Sequence, residues 1–458
     1  MANLLEQLIA YVWNWLMNSS IAVGKRDLVL GYKIRDGETT TVRVSLAEAK
    51  RAEHIAILGK TGTGKSSLLH HLCQQDISAR RGFVFFDLHG ASTPHLLRLI
   101  ASEERRTKDD LSQRLIVIEP ADLEFSVGLN VLERTDSHHG FVQIAEFASV
   151  LKSRWQLDAF GARTEELLRN ALFVLSDSGL TLLELGPLLT NTAFRAACLM
   201  RVKNPEVRSY FEERYDQASE AMQAVFRDAV LNKTSAFTSD PCFRHILGQT
   251  RSTFSLLNAI DQGCWIILNL DKGRLGEQAT TLGSLFLAKL KTALFARNSR
   301  QLLTLYCDEL QNLVTFGNGM DTLLSESRKF GVSVCSANQY LQQYPASMQA
   351  AIQSVATHVC FQLSSPDADR MANYLGGGRN LAELLKSLPK RNLVIKSGHH
   401  QWQQALVPRV KNPSGGYWDL YRRCRERWTN PRATVEAEIQ ERQAQYARSS
   451  NEVLHEWD

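Results

Sequence analysis

Gly59, Lys60, Thr61, Gly62, Thr63, Gly64, Lys65 and Ser66 follow one another in the pattern G-x-x-x-x-G-K-[ST]. A loop of this kind surrounds phosphates with backbone N–H groups, its glycines allowing close approach and the next helix offering its N-terminus. The spacing assigns Lys65 to the β- and γ-phosphates of ATP and Ser66 to a Mg²⁺ ion, with Ser67 opening the helix. Hydrolysis needs more: an acid that orders the metal and a group that activates water. Leu302 to Glu309 reads as an apolar strand ending in two adjacent carboxylates. Asp308 is expected to hold the Mg²⁺ shell and Glu309 to polarise the attacking water. Paired acids here distinguish a hydrolytic motor from a small-molecule kinase. A further strand, Val332 to Ser336, runs on to Gln339, whose amide is expected to face the γ-phosphate as a sensor. Arg328, just before that strand, is placed to reach the nucleotide of a neighbouring subunit and stabilise transition-state charge.

These groups require a scaffold that brings distant strand ends together. Ile55–Leu58, Phe83–Phe86, Leu115–Ile118, Trp265–Leu270, Leu302–Cys307 and Val332–Ser336 are short apolar runs, several separated by amphipathic stretches. Continuous apolar strands joined by helices predict an α/β fold with a parallel sheet covered on both faces. Residues 140–257 break the alternation: their periodicity is helical throughout, and an all-helical insertion is expected there. The division expected is thus an N-terminal amphipathic helix (1–24), a first part of the motor core (25–139), the insertion (140–257), a second part of the core (258–410) and a tail (411–458). In the tail, Tyr417, Trp418, Tyr421 and Trp428 interleave with Arg422, Arg423, Arg425 and Arg427, followed by a charged helix over Ala433–Arg448. That cluster suits either a grip on nucleic acid or a helix packed by one apolar stripe, and the second is the simpler reading.

Four segments together carry a resemblance: His54 to Ser66, Phe83 to Gly90, Cys307 to Asn312, and Glu326 to Gln339. They look like the HerA/FtsK superfamily of DNA-pumping ATPases, and within it the coupling ATPases of conjugative and type IV secretion systems. Phe160 to Asn170 and Leu268 to Glu277 add to the likeness, which spans residues 25–396. The resemblance implies a RecA-like (ASCE) P-loop NTPase core, ATP hydrolysis at the interfaces of a homohexameric ring, and DNA in a central channel. Lys65, Ser66, Asp308 and Glu309 carry over directly, with Gln339 as sensor and Arg328 as the finger acting in trans. Leu88 stands where the family often has Pro, in Asp87-Leu88-His89-Gly90, and both Asp87 and His89 are expected near the site. The implied partners are DNA, gripped by its backbone without sequence reading, and a secretion-system, relaxase or nuclease component. Lys272 and Arg274, in the loop 271–278, and the loop 312–321 are the candidate DNA contacts. A nucleotide-gated ring that recruits a nuclease or other effector for a mobile element or a phage-defence system is the alternative, since it would use the same residues.

With 458 residues, 44% of them hydrophobic, the chain has ample material for a large core, which excludes a disordered protein. Eight cysteines without a C-x-x-C pair exclude a zinc ribbon and predict reduced thiols in the cytoplasm. A formal charge of +5 permits a polyanion partner without requiring one. Residues 1–24 have helical apolar spacing but are too short and polar for a firm membrane span. Packing against the protein, or a weak peripheral contact with the inner face of a membrane, is expected of them.

Overall fold

A computed structural model describes residues 27–134, 140–157, 161–313 and 320–455, without the side chains of 236, 237, 321 and 447–455. The expected N-terminal helix therefore lies outside the described residues. In chain order the strands are β1 (Leu28–Arg35), β2 (Glu38–Leu46), β3 (Ile55–Leu58), β4 (Gly82–Asp87), β5 (Leu115–Ile118), β6 (Phe125–Ser126), β7 (Trp265–Asn269), β8 (Leu303–Asp308), β9 (Val332–Asn338), β10 (Thr357–Cys360), β11 (Asn392–Ser397), β12 (Gln403–Leu406) and β13 (Asn430–Pro431). Eleven of them make one sheet in the order β2-β1-β12-β11-β10-β3-β9-β8-β4-β7-β5, while β6 and β13 pair with each other. From β10 to β5 every pairing is parallel. From β2 to β10 every pairing is antiparallel. The sheet is thus the expected parallel one, extended by an antiparallel border that the apolar runs did not disclose.

Period-two alternation divides the parallel strands between two cores. Ile55, Ile57, Phe83 and Phe85 face helices α1 (Lys65–Ser78) and α2 (Ser92–Thr107). Ala56, Leu58, Val84 and Phe86 face the opposite side. Because both faces are covered, every residue of β3, β4, β5, β7 and β9 is buried, which is why these strands read as unbroken apolar runs.

Between Gly140 and Asp261 every described element is helical. The first of these helices, α3 (Gly140–Trp155), lies along α4 (Gln278–Phe295). Glu146 takes an ion pair from Lys291 at 2.6 Å, and Arg154 donates to Ser284 Oγ at 2.7 Å. Packed between the sheet and α3, α4 is buried at every residue from Ala279 to Leu294. The tail folds back onto the molecule. Helix α5 (Trp418–Trp428) buries Leu420 and Cys424 against β5, and α6 (Arg432–His455) sets Val435 and Ile439 on Leu183. The eight cysteines are free thiols, seven of them buried. No helix among the described residues is long and apolar enough to cross a membrane.

Candidate functional site

The phosphate loop forms where β3 ends and α1 begins. Gly62 and Gly64 hold φ of 78° and 126°, a backbone region that a Cβ disfavours. A Cβ on Gly59 would stand 2.6 Å from that of Phe361, so the loop's first glycine is required by close packing as well. The loop is tied down by its neighbours: Lys60 N–H donates to the Gln362 carbonyl at 2.9 Å, and Arg391 N–H to the Thr63 carbonyl at 2.7 Å. Thr63 Oγ1 closes the turn on the Lys60 carbonyl at 2.7 Å. Thr61 and Gly62 are exposed at the mouth, and Ser67 is half-buried at the start of α1. Lys65 turns its ammonium inward to the carbonyls of Gly59 (2.6 Å) and Lys60 (3.1 Å). Burial lowers its pKa, and the carboxylates of Asp308 and Glu309 oppose that shift.

The loop and the acidic strand end meet directly, since Ser66 Oγ donates to Asp308 Oδ2 at 2.9 Å. Burial raises the pKa of Asp308, against the hydrogen bond from Ser66 and the charge of Lys65. Among the described residues no group of three or more His, Cys, Asp or Glu forms a cage for a metal. The pair Ser66–Asp308 offers hard oxygen donors suited to Mg²⁺, which binds through one or two protein ligands with water and phosphate oxygens.

Glu309 leaves β8 at φ 61°, in the left-handed region. Its carboxylate is the hub of three contacts. Gln339 Nε2 donates to Oε1 at 3.1 Å, Asn312 Nδ2 to Oε2 at 3.0 Å, and His89 Nε2 lies 3.2 Å from Oε2. Gln339, expected to address the γ-phosphate, is thus engaged with the water-activating candidate. Asp87, at the end of the strand beside β8, has its Oδ2 accepting from the N–H and hydroxyl of Thr93 at 2.7 Å each, which fixes the start of α2.

Arg328 stands apart from this group. It pairs with Glu53 at 2.9 Å, its side chain 63% exposed, near the amino end of β3. The loop lies at the other end of that strand, ~13 Å away for its four extended residues. The neighbouring His54 ties the same region together: Nδ1 accepts from Val334 N–H at 3.0 Å, and Nε2 donates to the Leu324 carbonyl at 2.8 Å. Sequence reasoning missed the roles of His54 and Asn312 and the brace of Phe361 and Arg391. His89 was signalled by the Asp-x-His-Gly motif, though its contact with Glu309 was not.

Of the candidate DNA contacts, Lys272 pairs with Glu277 at 2.8 Å, and residues 314–319 of the second loop lie outside the described residues. In the tail, the packing reading holds for most of the arginine and aromatic cluster. Arg423 binds Glu104 at 2.7 Å, and Arg425 binds Glu124 at 2.9 Å and Asp122 at 3.2 Å, whereas the exposed Arg422 pairs with Asp419 of its own helix at 2.9 Å. Trp428 Nε1 donates to the Ser112 carbonyl at 3.2 Å.

Comparison with known proteins agrees with this geometry. No curated protein matches the sequence significantly. Among solved structures, the bacterial conjugative coupling protein TrwBΔN70 superposes with a TM-score of 0.56 at 16% identity, covering 84% of this chain and 92% of that one. TrwB in complex with the non-hydrolysable ATP analogue ADPNP gives 0.58 at 15% identity, covering 85% and 96%. VirB4 of Thermoanaerobacter pseudethanolicus gives 0.55 at 16% identity, covering 85% and 98%. The profile of the type IV secretion-system coupling protein DNA-binding domain matches residues 38–404. The chain belongs to that family of coupling proteins, built on a HerA/FtsK-type P-loop ATPase fold.

Proposed function

We propose that the protein binds ATP and Mg²⁺ between the loop 59–67 and the strand end Asp308-Glu309, hydrolyses the nucleotide, and uses the turnover to move DNA through a homohexameric ring. The observation that carries this reading is the Ser66–Asp308 hydrogen bond, which joins the phosphate loop to an acid whose neighbour is held by Gln339. A relative's structure contains ADP and Mg²⁺. In this chain Lys65 would exchange its two carbonyl partners for phosphate oxygens, a gain in charge complementarity that the inward pose prepares. Ser66 and Asp308 would hold the Mg²⁺, which neutralises charge building on the phosphates. Glu309 would accept the proton of a water entering between its carboxylate and the Gln339 amide, so that the amide reports whether the γ-phosphate is present. Arg328 would act in the site of the next subunit, because a strand's length separates it from its own loop. A cytoplasmic position, beside the membrane when docked to a secretion complex or relaxase, suits an ATP-fed motor of this family.

The test is the pair Glu309→Gln and Lys65→Ala in ATPase and nucleotide-binding assays, with and without DNA. Glu309→Gln is expected to retain ATP and lose at least about a hundredfold in turnover, whereas Lys65→Ala weakens binding itself. Wild-type turnover in Glu309→Gln would remove the assigned base. An ATPase indifferent to DNA at every salt concentration would favour the effector-recruiting ring.

A further inference from the structure

The acidic strand end of the nucleotide site is held from outside the motor core. Glu309 opens the short turn Leu310–Asn312, and the Asn312 amide Nδ2 donates to Glu309 Oε2 at 3.0 Å. The backbone of that turn is itself gripped. Arg154, near the end of α3 and so in the first helix of the insertion, donates through Nη2 to the Asn312 carbonyl, although the two residues stand 158 positions apart in the chain. The same guanidinium reaches Ser284 Oγ of α4, at 2.7 Å from Nη2 and 3.2 Å from Nε, and Thr280 Oγ1 at 3.5 Å from Nη1. Ser284 is fully buried and shares its hydroxyl between the carbonyls of Thr280 at 2.8 Å and Leu313 at 3.0 Å. Two consecutive carbonyls, those of Asn312 and Leu313, are therefore fixed by Arg154 and by a serine that Arg154 holds.

Two features separate this contact from a simple staple between insertion and core. That staple already exists, because Glu146 of α3 pairs with Lys291 of α4 at 2.6 Å. Arg154 reaches past α4 to the segment that follows the acid pair. Its acceptors are also costly ones. Its hydrogen bonds go to α4 or to the turn, and none reaches a carboxylate among the described residues. Burial lowers its pKa, with the charge of Glu277 opposing that shift. A half-buried guanidinium held on neutral acceptors is destabilising for the fold unless every donor is well bonded, and here the bonds converge on one turn. Glu309 sits in the left-handed region, so the regular backbone of β8 does not aim its carboxylate. Of its three contacts, Asn312 is the one on that same turn.

We infer that Arg154 is a positioning residue for ATP hydrolysis, lent by the helical insertion: it clamps the Asn312 backbone so that the Asn312 amide holds Glu309 facing the attacking water. The insertion is then part of the hydrolytic site, and turnover depends on α3 staying seated on α4. This role presupposes Glu309 as the base, as proposed above, and adds to it the element that controls its aim.

The test is steady-state ATPase kinetics of the full chain carrying Arg154→Ala, Asn312→Ala or both. Arg154→Ala is expected to lower kcat by between about tenfold and a hundredfold, the scale of a misplacement of about 1 Å at a reacting group. KM for ATP and the binding of a non-hydrolysable ATP analogue should be unchanged, since Lys65 and Ser66 are untouched. In the Asn312→Ala background the same substitution should have no further effect, because the amide through which Arg154 acts is gone. Arg154→Lys, whose ammonium still reaches the carbonyl, should recover part of kcat. A staple without the positioning role would show its full loss in both backgrounds. That additivity, or wild-type kcat in Arg154→Ala, overturns the inference. Should Arg154→Ala fail to bind the analogue, the cycle is run with Arg154→Lys, where additivity overturns it equally. Wild-type turnover in Glu309→Gln would instead remove the base itself, whereas an inactive Glu309→Gln beside a fully active Arg154→Ala removes only the role of Arg154.

Discussion

A glutamate in the left-handed backbone region costs about 1–3 kcal/mol, and structures tolerate that where a side chain must be aimed. Glu309 is such a residue, and its carboxylate is fixed by Gln339, Asn312 and His89 together. His54 is the counterpart at the other end of the same sheet, buried with both ring nitrogens bonded. Burial, with a smaller push from Arg328, lowers its pKa to about 4. The unfolded chain takes up that proton near pH 6.5 and the folded one only near 4, so this contribution is complete above pH 6.5 and is lost as pH falls toward 4. The steepest slope for one such group is about 1.4 kcal/mol per pH unit. His54→Gln keeps a donor and an acceptor without a titration. Denaturant melts of the two proteins, taken from about pH 7 down to about pH 4, should show a shallower pH dependence for the variant. Parallel curves would mean that His54 titrates in the fold as it does in the unfolded chain.

At the level of elements, α1 is fastened to β8 by charge as well as by apolar packing. Arg51 forms a two-pronged pair with Asp76 at 2.7 Å, both side chains fully buried, and Tyr306 of β8 donates to the same carboxylate at 2.7 Å. Removing one partner strands the other, so Asp76→Ala should cost about 3–5 kcal/mol in urea unfolding. A loss below about 1 kcal/mol would mean that water enters to solvate Arg51. The segment bearing Arg328 is held in its own subunit by Glu53. If Arg328 serves the neighbouring site, Arg328→Ala and Glu309→Gln chains, each inactive alone, should recover partial ATPase when mixed, whereas inactivity of the mixture assigns Arg328 to its own chain. Buried parallel strands were legible as runs such as Ile55–Leu58, and the phosphate loop and acid pair were legible as local motifs. In the antiparallel border Val42–Leu46 was legible as a strand after the turn Asp36-Gly37, but β11 and β12 were not, because they mix polar and half-buried residues. β10 escaped notice for another reason: His358 lies within it, made neutral by burial and bonded to the Ile352 carbonyl at 3.2 Å. His54 acquires its role from partners far away in the chain, which no local pattern encodes.

For the molecule as a whole, a charge of +5 predicts little, because most tail arginines are already paired with Glu104, Asp110, Asp122 and Glu124. Binding to DNA through backbone contacts should still weaken steeply with salt, by a slope near about 0.9 for each phosphate neutralised on duplex and about 0.7 on single strands. Measured on both forms, a slope equivalent to less than about one phosphate would exclude a channel lined with cations.

The position of β3 has a consequence during synthesis. Its sheet neighbours are β9 and β10, which begin at Val332 and Thr357, while β3 itself ends at Leu58. At a ribosome's pace of ~5–20 residues per second, the apolar stretch Ile55–Leu58 waits on the order of 15–60 s for a partner. Through that interval the nucleotide loop has no floor, and nascent chains ending short of Val332 lack the pairing that shapes it. A chain still short of Val332–Asn338 therefore has no complete nucleotide site, however far its first half has folded.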